Sequence, residues 1–298
     1  MSALLRRAGT YAGLCFVWLV HLLPAPWIRG IGYALGSILY RFGRGRVTDV
    51  NLRLAFPDMP EAERHALGRA HFRALGRASM ELSVLWFGSK ERVLGMVKLK
   101  GREHLEPLAN KAPVIMFSPH FVGLNIGGAR IADTWPDSAS IYSRQKNPVV
   151  DKYLLHGRLR FGTPKMISRQ DGMRPIIRAI REPLPFYFLP DMDFGRRDAL
   201  FVPFFATPAA TVTAMPRLAG LTGAKIVPVV SRMTPEGYEV ECYPAWENYP
   251  TDDLEADVRR MNAFIEERTK EMPEQYFWAH KRYKTRPAGE PSPYKKRK

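Results

Sequence analysis

The chain has 298 residues, enough for one large α/β domain or two small ones. It is 46% hydrophobic and 25% charged, an ordinary globular composition that excludes a disordered chain, a fibre and a polytopic transporter. Its two cysteines exclude a disulfide scaffold and a zinc ribbon.

The charge balance is strongly basic. Forty-five Lys and Arg residues stand against 29 Asp and Glu residues, a formal net charge of +16. Such a charge raises the local concentration of polyanions: nucleic acid, anionic lipid headgroups or an acidic carrier protein. The sequence contains no RNA-recognition, zinc-finger or basic-zipper signature, so we expect no nucleic-acid partner.

The amino-terminal segment is apolar and flanked by arginines. Residues 8–28 carry no formal charge, and a second uncharged stretch covers residues 30–40. A bilayer core requires about 20 apolar residues in a helix, and Trp18 and Trp27 suit the headgroup level. A cleaved signal peptide or a buried core helix would be the alternatives. We interpret residues 1–46 as a membrane anchor with a basic flank.

Helical and strand patterns alternate in the rest of the chain. Helical periodicity predicts helices over residues 60–86, 123–133, 149–160, 173–181, 211–221 and 252–272. Apolar or alternating runs predict strands over 96–101, 113–119, 138–143, 185–189, 225–231 and 238–243. This order predicts an α/β fold, a mixed and largely parallel sheet flanked by helices, in a domain at 47–290. We expect residues 291–298 to form a solvated basic tail.

His120 is the first candidate for chemistry. It directly follows the apolar run at 113–119, and the carboxyl end of a strand in an open α/β sheet is where catalytic groups collect. A packed or surface histidine is the alternative reading of its position. The chain has no G-x-S-x-G elbow, P-loop, G-x-G-x-x-G or H-E-x-x-H motif, and Cys242 is far from any histidine in sequence. We therefore expect His120 to act as a general base on a substrate hydroxyl.

Three sequence blocks resemble one family. They are HFVGLN at 120–125, LPDMDFGRR with FVPFFA at 189–206, and PEQYFWAHKRYKTRP at 273–287. Together with the apolar amino terminus, they resemble the late acyltransferases of lipid A synthesis, within the glycerolipid acyltransferase superfamily. The resemblance covers nearly the whole chain.

The resemblance implies a reaction and a location. It implies transfer of a fatty acyl group from acyl carrier protein to a hydroxyl of a lipid A precursor, at the cytoplasmic face of a Gram-negative inner membrane. The carrier is acidic and the precursor bears phosphates, so both suit a chain of net charge +16. The resemblance also implies contact with inner-membrane lipid. It implies no metal or nucleotide cofactor.

The resemblance also assigns site residues. Arg158 is the first candidate for stabilising the oxyanion, with Arg160 and Arg169 as alternatives for oxyanion or phosphate contact. The same arginines could instead form a solvated basic helix face.

A second set is expected to hold the acceptor. Asp191 and Asp193 fall in the block that binds the acceptor headgroup in the superfamily, and Arg196 and Arg197 beside them could hold a phosphate. A cap or turn is the alternative role of the two aspartates.

One position departs from the family pattern. The family has an acid five residues after the histidine, whereas this chain has Asn125. Asparagine can accept a hydrogen bond but supplies no charge for the imidazolium, so we expect impaired or altered turnover. A non-catalytic lipid-binding homologue, and an acyltransferase that acts on glycerolipid or ornithine lipid, are the alternative functions.

Overall fold

The structure is a computed structural model that describes residues 3–295, with side chains from residue 8 onward. Its helices are α1 (Ala3–His21), α2 (Ala25–Phe42), α3 (Gly45–Ala55), α4 (Glu61–Phe87), α5 (Lys90–Gly95), α6 (Arg102–Leu105), α7 (Leu124–Thr134), α8 (Pro148–Leu159), α9 (Met173–Arg181), α10 (Ala214–Thr222) and α11 (Leu254–Glu271). Its strands are β1 (Val97–Lys100), β2 (Val114–Phe117), β3 (Ala139–Tyr142), β4 (Lys165–Ser168), β5 (Pro185–Phe188), β6 (Ala199–Phe204), β7 (Thr207–Val212), β8 (Lys225–Met233) and β9 (Tyr238–Cys242).

Seven of these strands form one sheet in the order β1-β9-β8-β2-β5-β3-β4. Neighbouring strands are parallel, except β8 and β9, which are antiparallel. Strands β6 and β7 form a separate antiparallel hairpin. The predicted α/β class, a mixed and largely parallel sheet flanked by helices, is confirmed.

Each face of the sheet carries its own hydrophobic core. Side chains alternate along a strand, so Ile115 and Phe117 of β2 pack in one core with helices α9, α10 and α11. Val114 and Met116 of the same strand pack in the other core, with α4 and α7. Strands buried on both faces read as continuous apolar runs, which is why β2 and β5 are recognisable in the sequence.

Three strands differ from the sequence prediction. The short strand β4 was not predicted, because its four residues, KMIS, lie in a polar context without a clear alternation. The hairpin of β6 and β7 was not predicted either, because each strand contains a proline, which is typical of edges and loops. The helix predicted from residue 211 begins at Ala214, since Thr211 still pairs with Leu200 in the hairpin.

The amino-terminal segment forms two helices rather than one. α1 ends at His21 and α2 begins at Ala25, with Pro24 between them. α2 lies along α4, and the predicted domain boundary at residue 46 falls inside α3. In the described part of the chain, no helix combines the length and apolar character needed to cross a membrane.

The carboxyl-terminal tail is attached to the domain as far as it is described. The hydroxyl of Tyr294 donates to the side-chain oxygen of Asn51 and accepts from the backbone N–H of Tyr283 at 3.0 Å. The expectation of a fully solvated tail was therefore wrong for this residue, because its aromatic ring finds a partly buried site. Residues 296–298 lie outside the described part.

Candidate active site

His120 and Asp191 lie at the carboxyl ends of two neighbouring parallel strands. β2 ends at Phe117 and β5 ends at Phe188, and these two residues pair in the ladder. Each strand is followed by a short segment containing a proline, and both side chains emerge at the same edge of the sheet. His120 Nδ1 is 2.5 Å from Asp191 Oδ1, and the His120 backbone N–H donates to Asp191 Oδ2 at 2.9 Å.

The environment of Asp191 keeps its carboxyl group ionised. The side chain is buried, and burial alone would raise its pKa. The charge and hydrogen bonds of His120, with the charge of Arg282, outweigh burial and hold the pKa of Asp191 below its ordinary value. Because a carboxylate only accepts hydrogen bonds, the proton of neutral His120 resides on Nδ1. The lone pair of Nε2 is left for a substrate.

The segment at residues 273–287 closes over the histidine turn. The backbone N–H of Val122 donates to the Gln275 carbonyl, and the N–H of Phe277 donates to the His120 carbonyl, both at 2.9 Å. These bonds fix the backbone on both sides of the imidazole. The backbone of the third resemblance block therefore holds the turn that carries His120.

Arg282 places a buried positive charge near Asp191. Its side chain is 1% exposed and donates to the Ala210 carbonyl and the Thr211 hydroxyl, both at 2.8 Å. Within the described residues, no carboxylate lies at salt-bridge distance from this guanidinium. Its charge lowers the pKa of Asp191, so Arg282 supports the ionised state of the pair.

Asp193 fastens the loop after β5 to the carboxyl-terminal segment. Its buried carboxylate accepts from the Thr285 N–H at 2.7 Å, the Thr285 hydroxyl at 2.8 Å and the Gly195 N–H at 3.0 Å. The Asp193 N–H donates to Nε2 of His280 at 3.2 Å, and burial lowers the pKa of His280 to about 4. Asp193, which was expected at the acceptor headgroup, thus links the loop to the carboxyl-terminal segment and is not among the residues that line the cavity beside His120.

A cavity of about 1020 Å³ opens beside His120. Helices α7, α8 and α9 and strands β3 and β5 contribute to its wall. Most of its wall is hydrocarbon, including Leu124, Ile131, Ala132, Ile141, Leu154, Leu155, Met166, Ile176, Phe188 and Leu218. An apolar cavity with a few convergent polar groups is the usual form of a small-molecule site, and this one can accommodate a hydrocarbon chain.

Arg158 presents a cation to this cavity. It lies in the last turn of α8 and lines the cavity together with Tyr187 and His120. Burial lowers the pKa of Arg158 from its ordinary value, while Tyr187 and Asp151 oppose that shift. No carboxylate is within salt-bridge distance of its guanidinium among residues 8–295. Arg158 is therefore available to a negatively charged oxygen of a ligand.

Asn125 lies in the first turn of α7 and lines the cavity, but it is not the partner of the histidine. The imidazole ring of His120 forms its hydrogen bond with Asp191 instead. In the structure, Asp191 follows the neighbouring strand β5 and contacts Nδ1 of the imidazole, the position at which an orienting group was expected from residue 125. Asp191, in turn, was expected at the acceptor headgroup and lies behind the histidine.

Arg160 is held away from the cavity. Its guanidinium donates to the carbonyls of Leu85 and Gly88 at the end of α4, and it stacks over the Phe161 ring at 5.2 Å. These contacts satisfy helix-terminal carbonyls. Arg158 and Arg160 therefore differ in their contacts. Arg158 lines the cavity, and Arg160 holds the end of α4.

Two of the other three arginines lie at the rim of the cavity. Arg169 and Arg197 line the cavity, and Arg169 stacks over the Phe194 ring at 4.6 Å. Arg196 instead donates to the Arg286 carbonyl at 2.6 Å. The two rim arginines face the cavity, Arg197 with an exposed ion pair to Asp198 at 3.6 Å, whereas Arg196 holds the carboxyl-terminal segment.

The sequence analysis missed Tyr187 and the role of Asp191. The Tyr187 hydroxyl is 2.7 Å from the Ser118 hydroxyl, and burial raises its pKa. The signal for Asp191 was present, since Leu-Pro-Asp follows β5 as Ser-Pro-His follows β2. Burial also raises the pKa of the Cys242 thiol to about 12, which leaves it protonated at pH 7.

The site combines a histidine–aspartate pair with an apolar cavity at the carboxyl edge of an α/β sheet. Such a site is typical of a protein that transfers a proton next to a bound hydrocarbon chain. A profile of the bacterial lipid A biosynthesis acyltransferases matches residues 2–285. The chain therefore belongs to this family.

Curated relatives agree with this assignment. The lipid A biosynthesis lauroyltransferase of Escherichia coli is 35% identical over 96% of this chain and 94% of its own length. The lipid A biosynthesis palmitoleoyltransferase of the same organism is 33% identical over the same shares. Among solved structures, the 1-acyl-sn-glycerophosphate acyltransferase of Thermotoga maritima matches 84% of this chain and 96% of its own, with 14% identity and a TM-score of 0.39.

Proposed function

We propose that the protein transfers a fatty acyl group from acyl carrier protein to a hydroxyl of a lipid A precursor. Family membership supports O-acyl transfer to such a precursor. The apolar cavity supports the fatty nature of the transferred group. The observation that carries the proposal is the His120–Asp191 pair in the cavity wall, since it equips the site for general-base catalysis.

In the proposed reaction, Nε2 of His120 removes the proton from the acceptor hydroxyl. The oxygen then attacks the thioester carbonyl carbon, and the C–S bond breaks when the tetrahedral intermediate collapses. The proton passes from the imidazolium to the departing thiolate, so the histidine ends neutral. The ionised Asp191 stabilises the imidazolium and holds the ring in the tautomer with the proton on Nδ1.

Arg158 supplies the proposed oxyanion contact. Its cation lies in the same cavity wall as His120 and has no carboxylate partner among the described residues. Electrostatic stabilisation of the developing oxyanion is usually the largest single contribution to such reactions. The rim arginines Arg169 and Arg197 are proposed to hold phosphates of the acceptor.

Asn125 does not need to impair this reaction. The impairment was expected because position 125 would have carried the orienting charge, and Asp191 supplies that charge. We assign Asn125 a contact with substrate in the cavity.

The helical hairpin of α1 and α2 is the proposed membrane contact. It exposes a row of large apolar side chains: Tyr11, Phe16, Trp18, Leu19, Leu22, Trp27, Ile38, Leu39 and Phe42. Aromatic side chains favour the interface between headgroups and acyl chains. We propose that the hairpin lies in this interface, at the cytoplasmic face of the inner membrane, where a lipid acceptor could reach the cavity.

The test is a detergent-micelle assay with lauroyl-acyl carrier protein and a radiolabelled Kdo-containing lipid A precursor. The unaltered protein is expected to form the acylated product, and His120→Ala is expected to abolish it. Product that is unaffected by His120→Ala would overturn the mechanism. Binding of the precursor without product would favour the non-catalytic alternative, and product only with a glycerolipid or ornithine-lipid acceptor would change the assigned acceptor.

A further inference from the structure

Helix α9 carries a stripe of arginines on its solvent face. Arg174, Arg178 and Arg181 are spaced four and three residues apart, a spacing that places them on one side of a helix. All three are exposed, while the opposite side of α9 is buried in the core through Ile176 and Ile180. We call these three residues the α9 arginine stripe.

The stripe is not neutralised by the chain itself. Among the described residues, neither Arg174 nor Arg178 forms a salt bridge or a hydrogen bond, and Arg181 contacts only the Leu221 carbonyl, at 3.5 Å. The carboxylates at either end of α9 are already paired: Asp171 with Arg144 and Glu182 with Lys165. The stripe therefore offers free positive charge to an external partner.

The stripe begins at the mouth of the cavity. Met173, the first residue of α9, lines the cavity and is 49% exposed, and Ile176 lines it one turn later. The rim arginines Arg169 and Arg197 line the same cavity. A partner bound to the stripe would consequently sit beside the entrance to the acyl cavity.

The stripe and the amino-terminal hairpin lie on opposite faces of the sheet. α9 packs with α10 in the core that contains Phe117, whereas α2 packs on α4, which belongs to the core on the other face. The hairpin exposes nine large apolar side chains, while those exposed on and beside α9 among the described residues are three: Met173, Phe194 and Leu221. A surface that inserts into a bilayer needs apolar side chains as well as charge, so the α9 face suits a water-soluble anionic partner.

We propose that the α9 arginine stripe docks an acidic helix of the carrier protein that delivers the acyl chain. This inference rests on the proposed function and deepens it, because it assigns the donor and the acceptor lipid to opposite faces of the molecule. Carboxylates spaced one turn apart on a partner helix would match the arginine spacing of α9. Charge complementarity of this kind accelerates encounter and sets the orientation of docking.

The test compares charge-reversal variants of equal net charge. The docking variant is Arg174→Glu with Arg178→Glu. The control is Lys98→Glu with Lys100→Glu, two exposed lysines on the edge strand β1, at the end of the sheet away from the strands β3 and β5 that α9 contacts. Arg174→Ala with Arg178→Ala gives a milder form of the docking variant. Two quantities are measured at low and at 300 mM salt: the Kd for acyl carrier protein by titration, and the binding to anionic phospholipid vesicles by co-sedimentation.

We expect the docking variant to weaken carrier binding by about tenfold or more at low salt, with a smaller effect of the alanine variant and little effect of the control. Vesicle binding should be the same in the docking variant and in its control of equal net charge. If the docking variant binds the carrier as tightly as the unaltered protein, the inference is overturned. It is also overturned if the docking variant loses only vesicle binding, a result that would identify a membrane as the partner of the stripe.

The inference and the proposed function fail in different ways. If the unaltered protein transfers the acyl group from the carrier and the docking variant does so with the same KM, the proposed function stands and the docking site is wrong. If the unaltered protein neither binds the carrier nor accepts its thioester, the donor assignment itself is overturned.

Discussion

At the scale of single residues, the proposed chemistry depends on one buried carboxylate. Asp191 is 1% exposed, contacts both the ring and the backbone N–H of His120, and lies in the field of the buried Arg282. A carboxylate in this position fixes the tautomer of the histidine and stabilises its protonated form. Its removal should therefore affect the rate of reaction more than the binding of substrate.

The first prediction concerns Asp191 and Asn125 together. We expect Asp191→Asn to lower kcat by about 10²- to 10⁴-fold, because the amide supplies no charge and can select the wrong tautomer of His120. Asn125→Asp should change kcat by less than about threefold, because the charge is already present. Transfer rates measured over a pH series check both. A large gain with Asn125→Asp and a small loss with Asp191→Asn would return the orienting role to position 125.

The second prediction concerns His71, which lies within α4 and is fully buried. Its Nδ1 is 3.0 Å from the Glu274 carbonyl, and its Nε2 has no hydrogen-bond partner in the described part of the chain. Burial lowers the pKa of His71 to about 4. The unfolded chain, with an ordinary histidine, therefore takes up a proton at a higher pH than the folded chain.

It follows that the contribution of His71 to stability is complete above about pH 6.5 and is lost as the pH falls towards 4. The full loss corresponds to about 3 kcal/mol in the free energy of unfolding. The His71→Gln variant has no titratable group at this position. Between pH 6.5 and pH 4, its free energy of unfolding should therefore fall by less than that of the unaltered protein, and the difference should equal this amount. Denaturant unfolding at several pH values measures it, and parallel declines in the two proteins would contradict the assignment.

At the scale of elements, close backbone contact between α2 and α4 holds the helical hairpin of α1 and α2 against the rest of the protein. Gly36 of α2 and Gly76 of α4 face each other, and a Cβ atom on Gly36 would lie 2.0 Å from the Phe72 carbonyl oxygen. Helices approach this closely only where one of them has no side chain in the way. The glycines therefore decide where the apolar hairpin sits relative to the sheet.

The third prediction is that Gly36→Ala destabilises the protein by about 1–3 kcal/mol, because the backbone of α4 must shift. Gly30→Ala on the same helix is the matched control, since no atom lies within 4 Å of its Cβ position. The control should be neutral or slightly stabilising, as alanine is the better helix former. Thermal unfolding compares them, and equal stability of the two variants would show that α2 and α4 do not pack as described.

At the scale of the whole molecule, the exposed apolar side chains are unevenly distributed. The net charge of +16 attracts anions over the entire surface, while the large exposed apolar side chains of the described residues are concentrated on the hairpin. Trp27 is 68% exposed and Phe42 is 78% exposed. A concentration of exposed apolar side chains of this kind is typical of an interaction site.

The fourth prediction is that Trp27→Ser with Phe42→Ser weakens binding to anionic vesicles by about tenfold or more, because buried apolar area and charge both contribute to interfacial binding. Leu221→Ser, which removes an exposed leucine from α10, serves as the control and should have no effect. Co-sedimentation with vesicles gives the result. A comparable loss in the control would mean that the hairpin is not the membrane contact.

Local patterns were sufficient for much of this protein. The continuous apolar runs of β2 and β5 predicted strands buried on both faces, and the alternation of strands and helices predicted a largely parallel sheet. The position of His120 after β2 indicated a site at the carboxyl edge of that sheet. These properties are encoded within short stretches of chain, where hydrophobic period and composition are physically decisive.

The partners of the charged side chains were decided only by the tertiary structure. His120 and Asp191 are 71 residues apart and meet because β2 and β5 are adjacent, an order of strands that no local pattern contains. Arg158 and Arg160 look equivalent in sequence, yet one faces the cavity and the other holds the end of α4. An ionisable group takes its role from its burial and from its neighbours in space, and both are set only when the chain has folded.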